Sequence, residues 1–388
     1  MNKIRKIIIG AVVIIPLLLI MFITVQNNPD MEGSRTEIEK EEKGPDQYPS
    51  DWAWLRRTFP YWKADAQYFR DQMKVAQQMR AEAPNRELVQ VQFAGPTNIG
   101  GRFSDIEFNP KNPNIVYAGA ATGGVFKSTD MGLTWFPVFD DQANLNVGDI
   151  GIDPVYPDTL YVGTGEANGG HNNFPGGGVY KSTDGGATWQ FLGLENIASV
   201  GRIVVDPTNT QRVFVAAVGS YFYPNPERGL YRSEDGGQTW SLSKFVSDST
   251  GAIDDRSLDG GDTWGHLGPV NGLPNPLAED IGRIGLAISQ TNPDLVYAIY
   301  TDGYQYRGLF KSTDFGTTWT DADPDQEIGN GTGGFSWYFG QVRIHPTNPD
   351  MIYALDVSFM RSANGGSTWP IIYGYGGGPA DFHVDHHA

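Results

Sequence analysis

Short runs of apolar or alternating residues, separated by turn residues, fill the chain from residue 88 onward. A typical series has such runs at 105–108, 115–119 and 124–128, bounded by Pro, Asn, Gly and Asp. Runs of this length between turn residues predict β-strands. In each series, three strands precede a Trp that recurs in every repeat of the chain, and one strand follows it. Because the series returns about every 50 residues, it predicts four-stranded propeller blades.

An eight-residue motif, Ser-x-Asp-x-Gly-x-Thr-Trp, marks each repeat. It occupies 128–135, 182–189, 233–240, 257–264, 312–319 and, with Asn in place of Asp, 362–369. An Asp or Asn side chain accepts backbone N–H bonds inside a turn, Gly adopts conformations that other residues resist, and Trp buries a large ring. We therefore expect structural rather than catalytic roles for the residues at the Asp position, which are Asp130, Asp184, Asp235, Asp259, Asp314 and Asn364.

The spacing of this motif predicts the number of blades. Two copies, at Ser233 and Ser257, start 24 residues apart, whereas the other neighbouring copies start 50 to 55 residues apart. The fold class we expect is all-β, a propeller with six visible blades, of which the one near 251–264 is contracted. Residues 381–388 resemble the first strand of a seventh blade, so we expect the propeller over 88–388 to be truncated at its C-terminus.

The N-terminal residues show a different pattern. Residues 7–25 carry no charge and follow Lys3, Arg5 and Lys6, so residues 1–26 are expected to form a membrane anchor or uncleaved signal that places the body outside the cytoplasm. A cleaved signal peptide is the alternative. Residues 27–50 are polar and acidic and predict a tether. Residues 51–87 include apolar positions at helical spacing and predict a helical segment that docks on the propeller.

Composition excludes several functions. With 28 Lys and Arg against 45 Asp and Glu, the net charge is −17, which argues against nucleic-acid binding. The absence of Cys excludes disulfides, thiolate metal sites and a Cys nucleophile. A His/Asp metal site is conceivable from His383, His386 and His387 with Asp381 and Asp385, but we expect neither a metal nor another cofactor.

The repeated motif, together with segments 95–102, 163–168 and 280–286, resembles the Asp-box (BNR) repeat superfamily. Its members include sialidases, xyloglucan-cleaving glycosidases and the sortilin ectodomain, and the chain is most similar to large exported bacterial BNR-repeat glycosyl hydrolase or sortilin-like proteins. In the xyloglucan-cleaving members, one catalytic Asp precedes the Gly-Gly that leads into the third strand of the first blade. This chain has Ala121 there. The Arg-x-Pro entry motif of sialidases is also missing, so the resemblance implies neither activity.

A column of polar residues lies at the start of the predicted inner strands, which line the channel of a propeller. Together with the residues just upstream and a long polar loop at 166–174, this column could bind a ligand at the channel mouth. The alternative is that channel ends are wet and tolerate polar residues. The candidates for ligand binding are Arg102, Asp105, Arg202, Arg283, Gln341 and His171, and the candidate catalytic carboxylates are Glu166 and Asp149.

Two functions follow from these observations. The first is an exported, membrane-anchored propeller in the cell envelope that binds a glycan or protein ligand at the channel mouth, as a binding or assembly module. The alternative is a glycoside hydrolase, sialidase- or xyloglucanase-like, that acts on extracellular glycans. Such enzymes need two carboxylates about 5–9.5 Å apart, so a suitable pair at the channel would favour the enzyme.

Overall fold

A computed structural model describes residues 66–82, 101–168, 173–220, 225–247, 255–275, 281–302, 305–331 and 334–373. The expected membrane segment at 7–25, the tether at 27–50 and the start of a seventh blade at 381–388 lie outside these ranges. Within them, no helix is both long and apolar enough to cross a membrane.

Helix α1 spans Ala66–Glu82, inside the segment for which the apolar spacing predicts a helix. The side chains of Val75 and Met79 are 49% and 63% exposed. The docking of this segment on the propeller therefore stays a prediction.

The rest of the described chain is mostly antiparallel sheet. Sheets of four strands follow one another along the sequence, and within each sheet the strands pair in chain order. Blade 1 contains β1 (Phe103–Phe108), β2 (Val116–Ala120), β3 (Gly124–Ser128) and β4 (Phe136–Pro137). Blade 2 contains β5 (Val147–Ile152), β6 (Leu160–Thr164), β7 (Val179–Ser182) and β8 (Gln190–Phe191). Blade 3 contains β9 (Val200–Val205), β10 (Val213–Ala217), β11 (Gly229–Ser233) and β12 (Ser241–Phe245).

A two-stranded hairpin, β13 (Asp255–Arg256) and β14 (Gly265–His266), separates blade 3 from the last two blades. Blade 4 contains β15 (Arg283–Ile288), β16 (Val296–Thr301), β17 (Tyr306–Ser312) and β18 (Thr320–Asp321). Helix α2 (Ser336–Phe339) leads into blade 5, which contains β19 (Gln341–His345), β20 (Asn348–Leu355), β21 (Phe359–Ser362) and β22 (Ile371–Tyr373). The described chain is therefore an all-β propeller with five blades, and the expected count of six is wrong.

The motif at 257–264 explains this difference in blade count. Strand β12 ends at Phe245 and β13 begins at Asp255, which leaves too few residues for the two inner strands of a blade. The hairpin keeps the positions of the third and fourth strands and docks on blade 3, where Lys244 Nζ lies 2.5 Å from Asp255 Oδ2. The contraction expected from the sequence is thus real, but it removes the inner half of the repeat.

The second strands of blades 1, 2 and 4 lie between neighbouring sheets, which explains their largely apolar sequences. All residues of β2, β6 and β16 are buried, as expected for strands covered on both faces. Separate apolar clusters join blade 1 to blade 2, blade 2 to blade 3, and blade 4 to blade 5. A fourth cluster packs blade 4 on Leu267 and Leu273 of the contracted repeat, so most of the core lies where neighbouring sheets meet.

The repeated motif forms the expected outer turn, shown here for the first copy. Ser128 Oγ accepts the Gly132 N–H at 2.8 Å and donates to Asp130 Oδ1 at 2.8 Å. Asp130 also accepts the Thr134 hydroxyl at 2.6 Å and the Thr134 N–H at 2.8 Å, and these hydrogen bonds, the hydroxyl's first, lower the pKa of Asp130 to about 2. Gly132 has φ of +86°, a conformation that favours glycine. In the other copies, too, the Ser hydroxyl donates to the side chain at the Asp or Asn position, which is the arrangement that a structural role requires.

The same turn also fastens each blade to the one before it. We call each copy of the eight-residue motif a box. Tyr117 and Lys127 of blade 1 both donate to Gly185 O in the box of blade 2, at 3.1 and 2.8 Å. Equivalent pairs donate to Gly236 O and Gly365 O. In the contracted repeat, Arg256 takes the place of the Lys and donates to Phe315 O at 2.9 Å. The hairpin therefore transmits the contact between blades, although the described residues of this repeat form no inner strands.

Candidate functional site

Five charged side chains from four blades meet in the central channel, and we call them the channel cluster. Arg202 on β9 lies at its centre, with Nη2 3.2 Å from Glu107 Oε1 and Nη1 3.1 Å from Asp149 Oδ1. Asp105 Oδ1 is 3.9 Å from the same Nη1. Arg343 on β19 interacts electrostatically with all four of these groups.

The two Asp residues of this cluster also bind the neighbouring inner strands. Asp105 Oδ2 accepts the backbone N–H of Ile150 on β5 at 2.9 Å. Asp149 Oδ2 accepts the backbone N–H of Ile203 on β9 at 2.7 Å. The same contact therefore recurs from blade 1 to blade 2 and from blade 2 to blade 3. It gives Asp149, a catalytic candidate from the sequence, a definite structural role.

Burial raises the pKa values of these carboxyl groups. Burial, together with the charge of Asp105, raises the pKa of Glu107 to about 8 and that of Asp149 to about 7. The pKa of Asp105 is also raised by burial, although Arg202 opposes this effect. The carboxylates, Asp149 most strongly, raise the pKa of Arg202 in turn. The cluster is therefore a shared proton-binding unit and not a set of independent acids.

A second polar group lies where the loop after β6 meets the start of β1 and β15, and we call it the mouth group. Arg102 Nη2 forms an ion pair with Glu166 Oε2, and the Glu166 side chain is 1% exposed. Arg283 Nη1 donates to Asn168 Oδ1 at 2.8 Å and to Tyr338 O at 2.6 Å. Blades 1, 2 and 4 and helix α2 therefore meet at this group.

Several polar atoms of the mouth group have no hydrogen-bond partner among the described residues. They are Arg102 Nε, Glu166 Oε1 and Asn173 Oδ1, although Asn173 Nδ2 donates to the carbonyl oxygens of Glu166 and Asn168. Burial raises the pKa of Glu166, and Arg102 opposes the increase. Because unpaired buried polar atoms are costly, they identify a place where a polar ligand can supply hydrogen bonds.

Helix α2, whose Tyr338 carbonyl accepts from Arg283 of the mouth group, carries consecutive aromatic residues. The rings of Trp337 and Tyr338 are 5.5 Å apart and tilted at 52°, and those of Tyr338 and Phe339 are 4.8 Å apart and edge to face. Trp337 and Tyr338 are half-buried, and the preceding Phe335 is 52% exposed. An element that contacts the mouth group therefore carries aromatic rings, and such rings suit a ligand with an apolar face.

The structure divides the candidates from the sequence between these two groups. Asp105, Asp149 and Arg202 meet in the channel cluster, and Gln341 reaches it through a 2.6 Å hydrogen bond from Arg343. Arg102, Glu166 and Arg283 meet in the mouth group. His171 lies outside the described residues. Sequence reasoning missed Glu107 and Arg343, although each lies two residues after a predicted column member and therefore on the same face of its strand.

A cavity of about 370 Å³ lies elsewhere, on the outer rim between β18 and the last box. Its carboxylates serve the fold: Asp323 accepts the N–H groups of Glu327 and Ile328, and Glu327 accepts the Trp369 N–H at 2.6 Å. Within the described ranges, no group of three or more His, Asp or Glu residues is placed to hold a metal ion. The His/Asp residues at 381–387 lie outside those ranges.

The blades and their boxes define the class of protein as a β-propeller of Asp-box repeats. A family model described as BNR/Asp-box repeat matches residues 231–242, around the third box. Among curated proteins, the chain is 34% identical to a xyloglucanase of Paenibacillus sp, over 60% of this chain and 22% of that protein. It is 26% identical to xyloglucanase Xgh74A of Acetivibrio thermocellus, over 71% of this chain and 39% of that protein.

Solved structures show the same fold. A GH74 xyloglucanase from Xanthomonas campestris matches with a TM-score of 0.52 at 19% identity, over 71% of this chain and 45% of that one. A GH74 enzyme of Niastella koreensis matches with a TM-score of 0.54 at 21% identity, over 71% and 46%. The chain is a BNR-repeat propeller similar to glycosyl hydrolases, and it spans less than half the length of these relatives.

Proposed function

We propose that this propeller recognises a β-linked polysaccharide of the xyloglucan class at the mouth group. The observation that carries the proposal is a pair of acceptors, Glu166 Oε1 and Asn173 Oδ1, that have no hydrogen-bond partner among the described residues. They belong to the group that Arg102 joins, and the aromatic helix α2 contacts this group through the Tyr338 carbonyl. Sugar hydroxyls donate to such acceptors, and sugar C–H faces pack on aromatic rings. The sequence similarity to xyloglucanases supports this choice of ligand.

Hydrolysis of the glycan is the second candidate, and it is favoured by the same relatives. A buried carboxyl with a raised pKa, such as that of Glu166, suits a general acid. Hydrolysis also needs a second carboxylate, and the known candidates for it do not suit this role. Ala121 stands where the resemblance places an acid, and its N–H donates to Arg102 O at 3.0 Å, inside the mouth group. Asp105 and Asp149 are already bound to neighbouring strands. We therefore propose recognition as the main activity.

Binding to xyloglucan oligosaccharides, measured by calorimetry on the purified chain, tests this proposal. We expect Glu166→Gln to weaken binding at least about tenfold, because a hydrogen bond to a charged group contributes about 1.5–3 kcal/mol. Glu234→Gln on the outer rim makes the same change of charge and should bind like the wild type. Absence of binding by the folded wild-type chain would refute the proposal. Release of reducing ends by the wild type but not by Glu166→Gln would instead establish hydrolysis.

The location in the cell envelope is a further part of the proposal. It is supported by the uncharged residues 7–25 after Lys3, Arg5 and Lys6. If they anchor the chain with its body outside the cytoplasm, protease added to intact spheroplasts should digest the propeller. A cytoplasmic marker protein should survive the same treatment. Survival of the propeller until detergent is added would show the opposite orientation.

A further inference from the structure

The channel cluster contains titratable groups that the proposed glycan site does not use. Asp105 and Glu107 come from β1, Asp149 from β5, Arg202 from β9 and Arg343 from β19. Arg202 lies within 4 Å of all three carboxyl groups. The hydrogen bonds of Arg343 go to Gln341 Oε1 at 2.6 Å and to Val342 O at 3.2 Å. The guanidinium of Arg202 therefore forms close ion pairs with all three carboxyl groups.

The charge balance of the cluster depends on protonation. With every carboxyl ionised, three negative charges face two positive ones, and although Arg202 is 48% exposed, two of the three acids are buried. Repulsion between the acids is strong there. The Asp105 and Asp149 side chains are 6% and 4% exposed, and that of Glu107 is 28% exposed. Burial and the neighbouring acid Asp105 raise the pKa of Glu107 to about 8 and that of Asp149 to about 7, so we expect the folded chain to retain a proton here near neutral pH.

The same carboxyl groups fasten the blades together. Asp105 accepts the Ile150 N–H and Asp149 accepts the Ile203 N–H, so these two bonds link the inner strands of blades 1, 2 and 3. Glu107 lies on the same strand as Asp105, and Arg202 lies next to Ile203. Any additional negative charge on Glu107 therefore acts directly on the residues that make these links.

We propose that the channel cluster is a proton-dependent clamp, which holds blades 1, 2 and 3 together while it retains a proton and loosens when alkaline pH removes it. The sign of this pH dependence follows from the linkage between proton binding and folding. A carboxyl whose pKa is higher in the folded state stabilises the fold below its unfolded pKa, which for Glu is near 4.5. That contribution is lost as the pH rises through about 8. The clamp is independent of the proposed glycan binding.

Thermal unfolding between pH 6 and pH 9 tests the clamp. We expect the unfolding midpoint of the wild type to fall by roughly 5 °C over this range. Glu107→Gln mimics the protonated side chain and keeps an acceptor for Arg202, so its midpoint should stay nearly constant. Glu234→Gln, with the same change of charge on the outer rim, should follow the wild type. If Glu107→Gln falls as steeply as the wild type, the proposal is wrong.

Two measurements on the wild type do not depend on any variant. Unfolding at pH 7 should release protons into a weakly buffered solution, because the folded chain holds more protons than the unfolded one. Hydrogen exchange, corrected for the intrinsic effect of pH, should show reduced protection of residues 147–152 and 200–205 at pH 9. Proton uptake on unfolding, or unchanged protection of both strands, would overturn the clamp.

Discussion

Replacing Arg102 with Met is expected to lower the free energy of unfolding by about 3–5 kcal/mol at pH 8, because it leaves a buried charge without its partner. Glu166 is 1% exposed and forms its ion pair with Arg102. Burial already raises the pKa of Glu166, and Arg102 is the main group that opposes the increase. Without Arg102, the folded chain must therefore either keep an uncompensated carboxylate or bind a proton.

The pH dependence of this loss separates the lost charge pair from lost packing. A higher pKa in the folded state stabilises the fold at low pH and destabilises it as the pH rises, so the Arg102→Met variant should be less impaired at pH 5 than at pH 8. Denaturant unfolding at both pH values measures the difference. The double variant Arg102→Met with Glu166→Gln removes both charges and should recover much of the stability. Equal losses at the two pH values would contradict this explanation.

Trp369→Ala is expected to destabilise the chain by about 3–5 kcal/mol, the usual cost of removing a buried aromatic side chain. Trp369 is 4% exposed and belongs to the apolar cluster between blades 4 and 5. Its Nε1 donates to Gly366 O at 3.0 Å. Removing the indole therefore opens a cavity between two blades and also removes a buried hydrogen bond.

The chain provides a matched control for this substitution in the first box. Trp135 has the same place in the motif but is 39% exposed, so Trp135→Ala should cost less than about 1 kcal/mol. Denaturant unfolding of the two variants under one set of conditions compares them directly. Similar losses would show that the cost comes from the motif itself and not from the contact between blades.

The box turns could be predicted completely from the sequence. Their hydrogen bonds join residues two and four positions apart, such as Ser128 to Asp130 and Asp130 to Thr134. Short local loops close at little entropic cost, so the motif specifies its own geometry. Apolar runs likewise predicted the second strands, because strands covered on both faces require continuous apolar sequence. The box spacing also revealed the contracted repeat.

The number of blades and the makeup of the two polar groups depend on contacts between distant residues. The motif fixes only an outer hairpin, and whether a repeat also has inner strands depends on pairing with other parts of the chain. Arg202 and Glu107 are 95 residues apart, and Arg283 and Asn168 are 115 apart. The alignment of the repeats placed Asp105, Asp149 and Arg202 at equivalent positions. It could not show that the Arg202 guanidinium lies close to both Asp residues and to Glu107 as well.

By itself, therefore, the sequence determined the repeat, the outer turns and the set of polar positions near the channel, since each of these depends on local hydrogen bonds or on strand periodicity. Tertiary structure decided which of those residues are buried together. It separated Asp149, bound to Ile203, from Glu166, one oxygen of which has no partner within the part of the chain that the structure describes. It also set their protonation, because burial and neighbouring charges on other blades act only once the ring has assembled.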